Sequence, residues 1–261
     1  MWRRIVMTVV FLGFIGVALV SHAQKVLPDT AVCAYTFTSG TNNTHLNYCV
    51  TVNGNISQLT TPAGHQSIFG SEGYGLCNES PVASYWDWAA NGNSGNWGNP
   101  TLVNQTAKSV KIVRTTADGT WTLTQTITQD TVTPSIKVVM ALKNNTAAPH
   151  VVYLVRYADV DTDGDRNNFS ATTDSAFGWN ASIPFGANNG YGLELRNVGN
   201  PQFGYLQGFA RDISFPPNPC DFAGDSSGTP LTNIDGSIVL AYVDNVGAKK
   251  TKTATVIYRG M

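Results

Sequence analysis

Between Trp121 and Thr128 the chain alternates without a break: Trp121, Leu123, Gln125 and Ile127 fall on one side, Thr122, Thr124, Thr126 and Thr128 on the other. A period of two is the repeat of an extended strand and does not fit the 3.6-residue period of a helix. The stretch predicts a strand with one buried face and one face that is a ladder of threonines. The pattern continues on both sides. Val110 and Ile112 begin an alternating strand, Asp118-Gly119 supplies the turn, and residues 136–142 form a third strand with one apolar face. Residues 151–157 are apolar on both faces, which marks a central strand.

The rest of the chain reads the same way. Residues 31–38 and 46–53 predict strands, and Asn53-Gly54 between alternating segments is a hairpin signal, because both residues tolerate positive φ. Residues 70–100 are rich in glycine, asparagine and tryptophan and read as an ordered surface loop with a short strand at 82–86. Shorter strands follow at 176–179 and 191–195, separated by a Gly-Asn turn at 186–190; residues 214–230 form a long irregular excursion. Residues 237–242 and 253–258 read as a final pair joined by Gly247-Ala248-Lys249-Lys250. No helix pattern and no tandem repeat emerges. The expectation is an all-β antiparallel sandwich, a single domain over residues 24–261.

Residues 1–23 are set apart as a signal peptide. Trp2-Arg3-Arg4 is a positive lead, residues 5–20 are apolar, and Ser21-His22-Ala23 places small residues before Gln24. An uncleaved anchor is the alternative, and would be the chain's one membrane contact, but the run is interrupted by Gly13 and Gly16 and falls short of the about 20 residues that span a bilayer. Without Arg3 and Arg4, 14 basic residues face 17 acidic ones. A chain with that balance is a poor partner for nucleic acid. Cys33, Cys49, Cys77 and Cys220 follow the signal, so two disulfides are expected in a secreted or periplasmic location. Of the three connectivities, Cys33 with Cys49 and Cys77 with Cys220 is favoured, since the first pair can face each other across neighbouring strands.

The order Gly54-Asn55-Ile56 to Pro62-Ala63-Gly64, then long strands over 110–158, then a closing pair with a basic turn, resembles the galactose-mutarotase-like supersandwich of sugar epimerases and other carbohydrate-active proteins. The resemblance implies a supersandwich and chemistry on sugars. Mutarotases carry a histidine pair and a carboxylate, with an Asn-His motif; no Asn-His dipeptide occurs here.

Candidate chemistry falls in three places. The run 159–168 sets Asp159, Asp161 and Asp163 at positions 1, 3 and 5 of a calcium-loop pattern, Gly164 at the sharp turn, Asp165 at 7 and Asn167 at 9. Position 12 is Ser170 where a bidentate carboxylate is required, and Asp174 is the nearest replacement. Calcium is the expected cofactor, stiffening a loop that leaves a central strand; the alternative is a solvated Asp-Gly turn. Tyr85, Trp86, Trp88 and Trp97 can offer flat platforms to sugar rings, or can plug the end of the sandwich. His65, with Glu72 or Glu79, is a candidate acid or base, and Arg156 can orient a carboxylate substrate. A polar turn histidine and a strand arginine paired with a neighbour are the ordinary readings of the same residues. No phosphate-binding Gly-Lys-Ser/Thr loop is present.

The leading expectation is a secreted, calcium-stabilised binding module for extracellular polysaccharide. A carbohydrate-active enzyme of epimerase or lyase type, working in a groove near His65 and Arg156, is the competitor, and a structural envelope or matrix protein the third reading. Solvent-facing tryptophans favour the binder; a histidine within hydrogen-bond reach of a carboxylate favours the enzyme.

Overall fold

The computed structural model describes residues 32–69, 71–89, 93–164, 166–181, 191–199, 201–211, 218–222 and 230–261. The 1–23 signal, the turn at 186–190, Asp165 and most of the 214–230 excursion lie outside the described residues. Within them the chain is strand and turn, with 3-10 turns at Asn42–Thr44 and Pro219–Phe222. The strands are numbered in chain order. A first sheet is the meander β1 (Tyr35–Ser39), β2 (Leu46–Val50), β3 (Ile56–Thr60) and β4 (Gln66–Phe69). Then come β5 (Glu72–Glu79), β6 (Val82–Trp88), β7 (Asn93–Gly95), β8 (Thr101–Gln105), β9 (Ser109–Thr115), β10 (Trp121–Asp130), β11 (Ser135–Asn144) and β12 (His150–Asp159). The last seven are β13 (Asn167–Ala171), β14 (Ser175–Asn180), β15 (Gly192–Asn197), β16 (Tyr205–Arg211), β17 (Leu231–Ile234), β18 (Ser237–Val246) and β19 (Thr251–Gly260). They build a nine-stranded sheet, β17-β13-β14-β15-β19-β11-β10-β9-β8, and a six-stranded sheet, β16-β18-β12-β5-β6-β7.

The antiparallel sandwich expected from the sequence is the architecture formed. On β10, Trp121, Leu123 and Ile127 are buried while the intervening threonines are half-buried, so the alternation sorts the two faces of the strand. These side chains share one core with Val138, Met140 and Leu142 of β11, Leu154 of β12 and Leu240 of β18. Each such aliphatic side chain, fully buried, contributes about 1.5–3 kcal/mol. β12 lies between β18 and β5, as its two apolar faces require. Its outer face carries Val155 and Tyr157 into a second cluster with Trp88, Phe209, Phe222 and Val239. The 3-10 turn bearing Phe222 is tied to β5 by Cys77–Cys220.

Two expectations are corrected. The segment at 70–100 is not a loop: β5 and β6 belong to the six-stranded sheet, β5 as an interior strand. Its glycines are there for space. A Cβ on Gly73 would stand 1.9 Å from the carbonyl oxygen of Asp87, and one on Gly75 would stand 2.3 Å from Pro219 Cγ. The closing strands β18 and β19 are not a hairpin pair. β18 pairs with β12 and β16, β19 with β11 and β15, and the turn 247–250 passes from one sheet to the other. Turn chemistry is the same for a hairpin and an arch; Asn144 fixes the arch by donating Nδ2 to the carbonyl of Val246 at 3.0 Å.

Both disulfides have the expected pairing, Cys33–Cys49 and Cys77–Cys220. Two such bridges fit an oxidising, extracytoplasmic environment. Among the described residues no helix is long and apolar enough to cross a membrane.

Candidate functional site

Among the described residues, the candidate acids, bases and ligands fall into two groups, one sealed and one open. The sealed group surrounds the β2–β3 turn. Gly54 has φ +88°, as the Asn-Gly signal requires, and the turn closes with Thr51 N–H donating to Asn55 O at 2.9 Å. The turn is driven between the sheets. Asn53 Nδ2 donates to Asp87 Oδ2 at 2.7 Å, Asn55 Nδ2 donates to Asp87 Oδ1, and Tyr74 OH donates to Asn53 O at 2.9 Å. Arg114 of β9 pairs with the same carboxylate and also donates to Tyr74 OH, Ser94 Oγ and Gly98 O.

On the far side of the turn, Arg156 Nε lies 2.6 Å from Glu72 Oε1, Nη1 donates to Gln125 Oε1 at 2.6 Å, and Nη2 donates to Gly54 O at 3.3 Å. Tyr258 OH donates to Glu72, whose other oxygen accepts from Ile56 N–H at 2.5 Å. Asp87, Arg114, Glu72 and Arg156 are all buried to within 1% of complete. Burial pushes the Glu72 carboxyl up, against the pull of Arg156. Sealed, hydrogen-bonded groups of this kind hold a backbone turn in place and, being buried, lie out of a substrate's reach. Arg156 therefore follows the ordinary reading, and the groove expected to join it to His65 is corrected, because Arg156 does not reach the surface.

The open group lies where β12 ends. The chain after Asp159 runs along residues 66–71: Asp159 N–H donates to Ser71 O at 2.9 Å, Asp161 N–H to Ser67 O at 3.3 Å and Asp163 N–H to Gln66 O at 3.2 Å. This contact brings His65 Nδ1 to 2.6 Å from Asp163 Oδ2, with side-chain exposures of 27% and 31%. The ring of Tyr191 stacks on His65 at 3.4 Å and 12°. Beside the pair, one oxygen each from Asp159, Asp161 and Asp235 lie within 4.8 Å of one another. Asp159 is 7% exposed, and burial, then the Asp161 and Asp235 charges, push its carboxyl up to about 8.

The sequence-expected ligands are thus divided. Asp159 and Asp161 come together with Asp235, whereas Asp163 turns to His65. Asn167 is buried and donates Nδ2 to Gly164 O at 2.7 Å, holding the turn closed. Asp165 lies outside the described residues, and Asp174 accepts from the Thr172 and Ser175 hydroxyls at 3.0 and 3.1 Å. Asp235, Tyr191 and the pairing of Asp163 with His65 were missed in the sequence, being brought together from segments far apart along the chain. Glu79 stands at the far end of β5, exposed.

Three of the four aromatic residues proposed as platforms are buried. Tyr85 donates its hydroxyl to Asp118 at 2.6 Å, Trp97 packs edge-on to Tyr74 at 5.6 Å, and Trp88 packs on Tyr157 at 5.4 Å. Trp86 is half-buried and lies over Gly95, where a Cβ would come within 2.4 Å of its ring.

No protein-family model and no curated protein sequence matches the chain. Solved structures do. A bacterial glucoamylase complexed with acarbose aligns with 90% of this chain at 12% identity and TM-score 0.54; the chain spans about a third, 34%, of that enzyme. A galactose mutarotase-like protein from Lactobacillus casei ATCC 334 aligns over 87% of this chain and 100% of its own, at 8% identity and TM-score 0.51. The chain shares the fold of galactose mutarotase-like proteins, as the order of its strands and turns indicates.

Proposed function

We propose that this chain is an exported carbohydrate-recognising protein, released by cleavage after residue 23, whose sugar-contacting surface is the rim formed by His65, Asp163 and Tyr191. The observation that carries the reading is the half-exposed His65–Asp163 pair with an aromatic ring stacked against it. An apolar ring face beside charged hydrogen-bonding groups is what a sugar, with its C–H faces and hydroxyls, requires. The fold supports the same class of ligand, since one similar structure is a glucoamylase complexed with acarbose. The test is retention on a panel of neutral oligosaccharides with product analysis of the same incubations. His65→Ala and Tyr191→Ala are each expected to weaken retention about tenfold. A native chain that neither retains nor converts any member of the panel refutes the proposal.

Catalysis is the second reading, and the 2.6 Å His65–Asp163 contact is what favours it. A carboxylate that orients an imidazole is the arrangement of a general acid or base. Product formation by the native chain, lost in both His65→Ala and Asp163→Asn, would establish the enzyme; retention without product would leave the binder.

A calcium ion is proposed at Asp159, Asp161 and Asp235 as a stabilising element. Its support is the Asp159-x-Asp161 spacing and the chemistry of hard oxygen ligands. The convergence of the three carboxylates tells the experiment where to aim. Native chain is expected to melt higher with Ca²⁺ than with chelator, and Asp161→Asn with Asp235→Asn to remove the difference. Equal melting of the native chain under both conditions refutes it.

A further inference from the structure

The threonine ladder of β10 plays no part in the rim or the core, and its neighbours complete a surface of definite chemistry. Register sets Thr122, Thr124, Thr126 and Thr128 opposite Thr115, Val113, Lys111 and Ser109 of β9 on one side. On the other they stand opposite Lys143, Ala141, Val139 and Lys137 of β11. Across β11, Val139 and Ala141 meet Thr255 and Thr253 of β19. The partners of these positions on the opposite face, such as Ile112, Leu123, Met140 and Val256, are the core, so the threonines form the outer face of the nine-stranded sheet.

Within these rows there is no aspartate, glutamate or aromatic residue, while Lys111, Lys137 and Lys143 stand among the hydroxyls. Lys137 and Lys143 are exposed and Lys111 half-buried, and among the described residues none of the three has an acidic partner. Two acids flank the ladder: Asp130 follows Thr128 at one end, with Oδ1 accepting from the Val132 and Thr133 N–H groups, and Asp118 stands in the β9–β10 turn at the other, accepting from Tyr85, Thr116 and Thr120. A cationic face of this kind is exceptional in a chain whose acidic residues outnumber its basic ones, 17 to 16. Charge complementarity selects an anionic partner. Along β10 the threonine hydroxyls recur about every 6.6–6.8 Å, a single row of hydrogen-bonding groups suited to an extended polymer, with Thr115 and Ser109 beside its two ends and Val113, Ala141 and Val139 beside its middle. The hydroxyls of Thr124, Thr126 and Thr128 have no protein partner among the described residues.

We infer that this face docks an acidic polysaccharide, its carboxylates on the three lysines and its hydroxyls along the threonines. The inference rests on the reading of the chain as a carbohydrate-recognising protein and extends it to a second surface, away from His65. Affinity electrophoresis of the purified full chain through polygalacturonate, with dextran as the neutral control, tests it. The native chain is retarded by polygalacturonate and passes dextran freely. Retardation disappears as salt rises from about 0.01 M to about 1 M, which shortens the screening length from about 30 Å to about 3 Å. Lys111→Gln, Lys137→Gln and Lys143→Gln together weaken the interaction about tenfold. Thr124→Val with Thr126→Val, lysines intact, weakens it about threefold.

Retardation of the triple lysine variant equal to native overturns the inference, as does full retention by the valine pair. Binding of the native chain to phosphatidylglycerol vesicles without retardation by polygalacturonate also overturns it, in favour of a lipid surface. A native chain that retains neutral oligosaccharides at the rim yet ignores polygalacturonate refutes the docking face alone. Retardation by polygalacturonate with no binding on the neutral panel instead refutes the rim.

Discussion

Replacing Asp87 by asparagine tests whether the sandwich is closed around its buried turn by charge. Asp87 Oδ2 accepts from Arg114 and from Asn53 Nδ2, Oδ1 accepts from Asn55 Nδ2, and the residue is fully buried. Asparagine keeps the shape and removes the charge. Whichever way the amide is turned, its NH2 confronts at least one of those donors, since every group facing the carboxylate donates. Arg114 retains Tyr74, Ser94 and Gly98 but becomes a buried cation without a counter-charge. Breaking one member of a buried pair costs about 3–5 kcal/mol. For a chain of this size each kcal/mol moves the midpoint by about 2–4 °C, so melting falls by about 6–20 °C. Urea unfolding monitored by tryptophan fluorescence gives the free energy directly. Arg114→Met is expected to lose a comparable amount, and the double variant to lose less than the two singles together by about 2 kcal/mol. A loss under about 1 kcal/mol for Asp87→Asn, or strict additivity in the cycle, would refute the reasoning.

The same structure makes three shorter predictions. Gly73→Ala forces a Cβ against the Asp87 carbonyl and is expected to destabilise by about 1–3 kcal/mol or more in urea; an unchanged midpoint would show that β5 and β6 can separate freely. Cys77→Ser with Cys220→Ser opens a closure of 143 residues, which by chain entropy is about 5 kcal/mol, and fluorescence should report solvent reaching Trp88 beneath the Phe222 turn. In chelator, the raised carboxyl of Asp159 makes the native state bind a proton that the unfolded chain releases above its own pKa of about 3.9. Stability then falls as pH rises from about 4 to about 8, by at most about 1.4 kcal/mol per unit, and Asp159→Asn should flatten that slope.

What the sequence reveals depends on whether a residue's environment is local. The strands β9 to β12 were legible because burial on one face leaves a period of two, and β12 was placed centrally because both its faces are apolar. β5 was not legible. Its glycines at 73 and 75 answer to Asp87 and Pro219, one on a paired strand and the other far along the chain, so locally they look like loop glycines. The turn at 247–250 failed differently. Its residues specify a reversal, and whether the reversal joins two strands of one sheet or two sheets depends on which edges are free, a property of the whole fold.

The candidate site divides along the same line, and neighbours of distant origin account for the division. Four carboxylates at alternate positions look like one binding loop because a linear pattern assigns all of them to one centre. Neighbours of distant origin decide otherwise. β4 lies alongside the loop, and the turn entering it supplies His65, which takes Asp163; the segment entering β18 supplies Asp235, which joins Asp159 and Asp161. Alternation itself directs the split, because consecutive residues of an extended segment face opposite ways, so an Asp-x-Asp-x-Asp run keeps its carboxylates together only while the backbone stays extended. It does not: Asp163 has φ +54° and Gly164 φ +142°, and the bend lies between the two groups. The backbone break that makes the run resemble a calcium loop is therefore what separates the Asp159, Asp161 and Asp235 carboxylates from the His65–Asp163 pair. Asp163→Ala should accordingly disturb ligand retention at the rim while leaving any calcium-dependent rise in melting temperature in place; loss of both together would return the run to a single centre.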